Sequence, residues 1–242
     1  MLRPYLLTLP RSACAATAGE RAPARRLQNL LAPALLLLGL VGAVPASAGT
    51  QPVPRPLEFE IARGGDVVGH HRISFRGEGD KLVVNSDLEI DVEMLSFSVY
   101  HYQQTREEVW RDGKLVALAA KADDDGTPHD IKGAAGPNGE IRMSSGKDRW
   151  TLPPESVPAS FWNESMVTQK GPLVDSLTGR VVPSKVVKLG QETVRAGGRD
   201  VLATHYRLDG KRPRDVWYDA TGRWVKMRAV GRDGSVAEWV LK

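Results

Sequence analysis

The stretch KLVVNSDLEIDVEM, residues 81–94, alternates between apolar and polar side chains with a period of two residues. Its even-numbered positions carry Leu82, Val84, Leu88, Ile90, Val92 and Met94, interrupted only by Ser86, and its odd-numbered positions carry Asp87, Glu89, Asp91 and Glu93. Successive side chains of a β-strand point to opposite faces, so the pattern predicts one long antiparallel strand with a buried and a solvated face. A helix would scatter both sets around its axis.

The same period continues on both sides of this strand, and short turn motifs separate the segments that show it. Asp112-Gly113, Asn138-Gly139 and Asp209-Gly210 are examples, because Asn-Gly and Asp-Gly supply the positive φ angles of tight hairpins. The predicted strands are residues 57–63, 66–76, 81–94, 97–111, 114–123, 129–134, 140–144, 184–190, 192–196, 200–208, 214–219, 223–230 and 235–241. Regular short strands separated by turns indicate an all-β sandwich or barrel.

One segment, residues 153–170, departs from the alternation. Three prolines lead into residues 160–167, which we predict to form a helical turn or two. The β-rich part on either side of this segment lacks a complete core of its own. We therefore predict a single β domain over residues 57–242, crossed by this segment and preceded by an extended, proline-rich lead-in at residues 49–56.

Residues 1–48 have the three parts of a secretory signal peptide. Arg25-Arg26 precedes the apolar stretch of residues 30–44, and Ala46-Ser47-Ala48 forms the small-residue site that follows. A transmembrane anchor needs about 20 apolar residues, and Pro45 ends the stretch too early for that. We expect cleavage after Ala48, a mature chain that starts at Gly49 without a transmembrane segment, and export to a bacterial periplasm or out of the cell. The choice between Sec and twin-arginine export stays open.

Charge and cysteine content exclude several classes of function. Five of the 33 basic and one of the 29 acidic residues lie in residues 1–48, which leaves 28 of each sign in residues 49–242. A neutral mature chain offers no general electrostatic attraction for nucleic acid. The single cysteine, Cys14, lies in the leader, so the mature chain has no disulfide, thiolate metal site or cysteine nucleophile.

A set of short motifs resembles a family of uncharacterised exported bacterial β-proteins. The motifs are Phe59-Glu60-Ile61, Gly69-His70-His71, Tyr100-His101-Tyr102, Glu108-Val109-Trp110-Arg111-Asp112-Gly113, Ser160-Phe161-Trp162-Asn163, Asp175-Ser176-Leu177-Thr178-Gly179 and Asp215-Val216-Trp217-Tyr218-Asp219. The resemblance covers nearly the whole mature chain, and it implies a domain of unknown function without an established activity.

The closing motif, a strand that ends in Trp217-Tyr218-Asp219 followed by a turn and a returning strand, is also distantly similar to periplasmic lipoprotein carriers. This likeness implies an all-β fold in which a curved antiparallel sheet of roughly 10–13 strands forms an open half-barrel. One short helical crossing segment completes the fold that we expect.

No motif for catalysis, metal binding or a cofactor stands out. His70 and His71 are neighbours on a strand and point to opposite faces, which excludes them as a local metal pair. Asp123-Asp124-Asp125-Gly126 lacks the acid spacing of a calcium loop and indicates a solvated hairpin turn. Glu107 and Glu108 are adjacent, as on a strand with a wet face, and cannot form a pair of carboxylates across a cleft. We expect a non-enzymatic protein without metal or cofactor.

Aromatic residues are the remaining signal. We predict that a lipid-like or other amphipathic ligand binds in the concave face of the sheet and that Tyr100, Tyr102, Trp162 and Trp217 line this site, because aromatic rings offer a flat apolar face and a polar tip. Trp162 lies where a lid would be placed, and it could equally plug an open end of the core. Two alternatives remain: a scaffold or interaction protein of the cell envelope, and an envelope hydrolase with a site dispersed over several strands. The oligomeric state stays open.

Overall fold

The computed structural model describes residues 52–94, 97–183, 185–210, 213–231 and 233–242. The predicted signal peptide and the cleavage site between Ala48 and Gly49 lie outside these residues. Residues 52–56, the described part of the lead-in, have no regular secondary structure. Among the described residues, no helix is both long and apolar enough to cross a membrane.

Within the described residues, fifteen strands and one short helix follow in chain order. They are β1 (Leu57–Arg63), β2 (Asp66–Glu78), β3 (Lys81–Met94), β4 (Phe97–Arg111), β5 (Lys114–Asp124), β6 (Thr127–Ala135), β7 (Ile141–Ser145), β8 (Asp148–Leu152), β9 (Val157–Pro158), α1 (Ser165–Thr168), β10 (Leu173–Val174), β11 (Lys185–Ala196), β12 (Arg199–Asp209), β13 (Arg214–Asp219), β14 (Trp224–Val230) and β15 (Val236–Leu241). The all-β class and the single helical turn in the crossing segment are confirmed.

Thirteen of these strands form one antiparallel sheet in the order β11-β12-β13-β14-β15-β1-β2-β3-β4-β5-β6-β7-β8. The sheet has two free edges, so it is an open half-barrel, as predicted. Two meanders, β1–β8 and β11–β15, meet where β1 pairs with β15, with Phe59 opposite Leu241. In the structure the crossing segment is longer than predicted and comprises residues 153–183, between β8 and β11. It adds β9 and β10, which pair parallel in a sheet of their own.

The strand borders agree with the sequence prediction to within two residues, with three exceptions. Strand β8 and the pair β9 and β10 were not predicted. Residues 184–190 and 192–196 were predicted as separate strands, but they form the single strand β11. Its register shifts between Lys188 and Gly190, and Gly190 has a φ of 126°, so a bulge rather than a turn explains the glycine.

The main core lies on the inner, concave face of the sheet. On β3, Leu82, Val84 and Ser86 are buried, whereas Asp87 and Glu89 on the alternate face are exposed. The largest fully buried side chains include Trp224, Tyr218, Phe59 and Met143, which come from both meanders. The half-barrel therefore folds around one core shared by both.

Candidate functional site

A cavity of about 590 Å³ lies on the inner face of the sheet. Its position follows from one row of cross-strand neighbours that runs from β14 to β5. The row is Met227, Trp239, Ile61, Gly69, Ile90, Tyr102 and Asp124. Gly69, in the middle of the row, contributes no side chain to the space above it. Five members of the row line the cavity, the exceptions being Ile61 and Gly69.

The wall of the cavity is mostly apolar. It includes Val68, Leu88, Ile90, Val92, Ala159, Phe161, Trp224, Met227, Ala229, Ala237 and Trp239. These side chains come from four strands and from the crossing segment, so the sheet and that segment enclose the space together. An apolar wall of this kind suits the hydrocarbon part of a ligand.

One group of polar side chains lies where strands β4 and β5 meet an end of the cavity. The hydroxyl of Tyr100 donates to Oδ1 of Asp124 at 3.1 Å, and the Asp124 side chain is buried. Burial raises the pKa of Tyr102 well above its ordinary value, so its hydroxyl keeps its proton at any physiological pH. From the crossing segment, Asp175 and Ser176 reach the same side of the cavity.

A chain of buried polar side chains extends from the cavity along the inner face of β4. Nε2 of Gln104 donates to the carbonyl oxygen of Ser176 at 3.0 Å, and Nη1 of Arg106 lies 3.4 Å from Oε1 of Gln104. Nε of Arg106 lies 2.9 Å from Oε1 of Glu108 in a buried ion pair, although its geometry is not that of a hydrogen bond. These contacts hold the crossing segment to β4 at Ser176.

Glu108 is the most buried carboxylate of this chain of contacts, with 1% of its surface exposed. Its Oε2 accepts the indole N–H groups of Trp110 at 2.9 Å and of Trp162 at 3.1 Å. The expectation of a wet strand face therefore holds for Glu107, which is exposed, and is wrong for Glu108, because adjacent residues of a strand point to opposite faces.

His71 forms part of the cavity wall next to Arg106. Its Nε2 lies 2.8 Å from Oγ of Ser86, which explains the one polar interruption on the apolar face of β3. Burial, together with the charge of Arg106, lowers the pKa of His71 to about 3. The imidazole is therefore neutral at physiological pH, whereas the neighbouring His70 is exposed on the opposite face.

Two of the four predicted site residues, Tyr100 and Tyr102, line the cavity, and Trp162 does not. The ring of Trp162 packs edge-on against Phe75 and Trp110, with centroids 5.4 and 5.7 Å away. With 9% of its surface exposed and its N–H bonded to Glu108, Trp162 occupies the position of a plug in the core. Phe161, its neighbour, contacts the cavity instead.

Trp217 lies on the outer face of the sheet, away from the cavity, because its neighbours Val216 and Tyr218 point inward. Its ring stacks on His205 at a centroid distance of 4.2 Å, and its N–H donates to Glu192 of β11 at 2.7 Å. The turn between β11 and β12 folds back onto the outer face, where the amide of Gly197 donates to the carbonyl oxygen of Leu241. The folded-back turn covers Trp217, so this side chain is buried although it does not line the inner cavity.

A second hollow, of about 630 Å³, lies on the outer face of β1 to β6. Side chains of alternating charge line it: Glu58, Arg72, Asp87, Glu107, Lys121, Asp130 and Lys132. This hollow lies on the solvated face of the sheet and is more open to solvent than the inner cavity. The inner cavity is therefore the stronger candidate site.

The described residues contain no group of three or more His, Cys, Asp or Glu side chains that could hold a metal ion. Within the cavity, Arg63 is paired with Asp233 and Arg106 with Glu108. The arrangement of apolar wall and localised polar groups can orient a bound molecule by contact and hydrogen bonding.

Comparison with known proteins supports this architecture. Residues 59–242 match the model of a family described as Domain of unknown function (DUF6134). No curated protein matches the chain. Among solved structures, the chain is similar to a β-barrel-like protein of Domain of Unknown Function DUF1849 from Brucella abortus. The two share 14% identity with a TM-score of 0.57, and the match covers 80% of this chain and 97% of the other. This likeness shows a shared barrel-like fold.

Proposed function

We propose that the chain, which belongs to the DUF6134 family, is an exported, non-catalytic protein that binds an amphipathic, lipid-like ligand in the hollow of its sheet. The observation that carries the proposal is the inner cavity. Its volume of about 590 Å³ falls within the range of about 300–1,000 Å³ that small-molecule sites occupy.

The distribution of polarity supports an amphipathic ligand. The wall formed by residues such as Leu88, Ile90 and Met227 is apolar, whereas Tyr100, Tyr102 and Asp124 gather at one end of the strands. A molecule with an apolar tail and one polar end matches both regions at once. A fully polar ligand would leave the apolar wall without a partner.

The signal peptide predicted for residues 1–48 supports export to the periplasm or out of the cell. The cavity itself supports a binding rather than a catalytic role, since Arg63 and Arg106 are engaged in ion pairs and His71 is engaged with Ser86. The His71 imidazole lies beside the Ser86 hydroxyl, but burial and the charge of Arg106 lower the pKa of His71 to about 3, so it is too weak a base to activate a serine nucleophile at physiological pH. Ser86 also does not line the cavity.

Native mass spectrometry of protein purified from its own periplasm tests the proposal directly. We expect a bound mass that is released on unfolding and that dissolves in organic solvent. Purified protein should also bind a dansyl-labelled fatty acid at micromolar concentrations. If wild-type protein retains nothing and binds no labelled fatty acid, ligand binding is wrong and a scaffold role is favoured.

A pair of matched variants locates the site. Ala237 lines the cavity and Ala135 is exposed on β6, so Ala237→Phe fills the cavity whereas Ala135→Phe adds the same ring to the surface. We expect the first variant to lose binding of the labelled fatty acid and the second to keep it. Equal affinity of the two variants would place the binding site elsewhere.

A further inference from the structure

Phe161 has an unusual backbone conformation. Its φ of 56° lies in the left-handed region, which costs a bulky aromatic residue conformational free energy. Asp112 and Asp125, which share a positive φ, each precede a glycine in a hairpin turn, where this conformation is common. Phe161 lies in no such turn, so its conformation must be imposed by its surroundings.

Hydrogen bonds at Phe161 and at the next residue hold the backbone in this conformation. The hydroxyl of Tyr218, on β13, donates to the carbonyl oxygen of Phe161 at 3.0 Å. On the next residue, the indole N–H of Trp162 donates to Glu108 of β4 at 3.1 Å. The chain at Phe161 is thus fastened to two distant strands of the half-barrel.

Because of this backbone conformation, the adjacent aromatic rings of Phe161 and Trp162 lie in different places. Trp162 packs against Phe75 and Trp110 in the core, whereas Phe161 borders the cavity. The centroid of the Phe161 ring lies 6.2 Å from that of Trp224, and the Trp224 ring in turn contacts His71 at 5.6 Å. These rings form the inner end of the cavity.

Tyr100 and Tyr102 lie toward the opposite end of the cavity: Tyr102 is opposite Ile90 on β3, whereas His71, beside the Trp224 ring, is opposite Leu88. The seven residues from Tyr100 to Arg106 on β4 span roughly 20 Å of strand, and Tyr100 and Arg106 both border the cavity. A ligand whose polar end lies beside Tyr100 and Tyr102 therefore extends its tail toward Trp224 and Phe161.

We propose that Phe161 is the residue that determines ligand length: the cavity takes a single-tailed amphiphile with its polar end at Tyr100 and Tyr102, and the Phe161 ring stops the tail. This inference rests on the proposed function and adds the orientation and the tail-length limit of the ligand. Removal of the ring in Phe161→Ala opens space at the inner end, so longer tails fit.

The experiment measures displacement of a dansyl-labelled fatty acid from wild-type and variant protein by decanoate, dodecanoate, tetradecanoate and hexadecanoate. We expect Phe161→Ala to shift the tightest-binding acid to a longer one and to strengthen its binding about tenfold relative to the shorter acids. Phe75→Ala is the matched control, because Phe75 packs against Trp162 and does not line the cavity, and it should keep the wild-type order.

Phe161→Leu keeps the design informative if the alanine variant does not fold, since a smaller apolar side chain should give a smaller shift in the same direction. An unchanged order of affinities in a folded Phe161 variant overturns the inference and leaves the proposed function intact. Absence of binding by the wild type overturns both.

Discussion

The indole N–H groups of Trp110 and Trp162 converge on one oxygen, Oε2 of Glu108, at 2.9 and 3.1 Å. Trp110 belongs to the sheet and Trp162 to the crossing segment, so a single buried carboxylate joins the two parts of the fold. The charge of Glu108 is balanced by Arg106, whose Nε lies 2.9 Å from the other carboxylate oxygen. Four side chains therefore depend on one another.

Replacement of Glu108 by glutamine should destabilise the protein strongly. The change removes the counter-charge of Arg106, and breaking a buried ion pair from one side costs about 3–5 kcal/mol. Glu107→Gln is the matched control, because Glu107 is the exposed neighbour on the same strand and surface changes cost about 0.5 kcal/mol or less. Urea unfolding of both variants checks this, and equal midpoints would show that the ion pair contributes nothing.

The free energy of unfolding should decrease at acid pH because His71 is buried in its neutral form. Its pKa is about 3 in the folded protein against 6.5 for the free side chain, so between these values the unfolded chain binds a proton that the folded one does not. The stability that the neutral His71 provides is fully present above pH 6.5 and is lost as the pH falls toward 3, by about 5 kcal/mol at most.

The pH dependence of the unfolding free energy can be compared between His71→Gln and His70→Gln. We expect the first variant to show a shallower loss of stability between pH 6.5 and 3 and the second, at an exposed position, to follow the wild type. Parallel curves for all three proteins would mean that the pKa of His71 is the same in the folded and unfolded states.

Trp162→Ala should unfold the protein or lower its melting temperature sharply, because the ring fills a space between Phe75 and Trp110. Truncation of a buried tryptophan costs about 3–5 kcal/mol. A lid would behave differently: the variant would keep its melting temperature and lose only the ligand. Differential scanning calorimetry with a fatty-acid binding assay separates these two roles.

Gly69→Ala should destabilise the sheet beside the cavity. A Cβ atom at Gly69 would lie 2.1 Å from the carbonyl oxygen of Glu89, and backbone cannot move aside as a flexible side chain can. Overpacking of this kind costs about 1–3 kcal/mol. Gly77→Ala, later on the same strand, meets only a side-chain atom of Val53 at 3.1 Å. A thermal shift for Gly77→Ala as large as that for Gly69→Ala would contradict the argument.

Much of the sheet could be predicted because alternation and turn chemistry are local. Strand β3 matches its prediction at both ends, since one apolar and one acidic face leave no other register. Strand β8, DRWTL, escaped prediction because it is short and largely polar. The sequence predicts a break after Gly190 where the structure has a bulge, because a glycine within a strand and a glycine between strands look alike in sequence.

The site could be predicted only in part, because it depends on long-range packing. Tyr100 and Tyr102 follow from alternation on β4. Trp217 follows the same alternation to the outer face, where the return of the β11–β12 turn buries it, and nothing local signals that return. Phe161 was missed because a positive φ redirects its side chain.

The buried polar network on the inner face of β4 has only a weak signal in the sequence. Arg106 and Glu108 are two residues apart and of opposite charge, so on a strand they share a face and can pair. Trp110 continues the same face toward the core. A charged pair next to a tryptophan within an alternating segment is a pattern that indicates a buried polar network rather than a wet surface.

The pairing of β1 with β15 places the two ends of the domain side by side in the centre of the sheet, where the amide of Lys242 donates to the carbonyl oxygen of Glu58 at 2.9 Å. Neighbours in space here are separated by almost the entire sequence, and such non-local contacts are slow to form. Strand β15 follows every other described strand of the sheet in sequence and is the one that joins the two meanders, so the sheet cannot be completed before β15 is available. A short peptide linking the two ends, with new termini opened elsewhere, would turn this late step into a local hairpin and should speed folding.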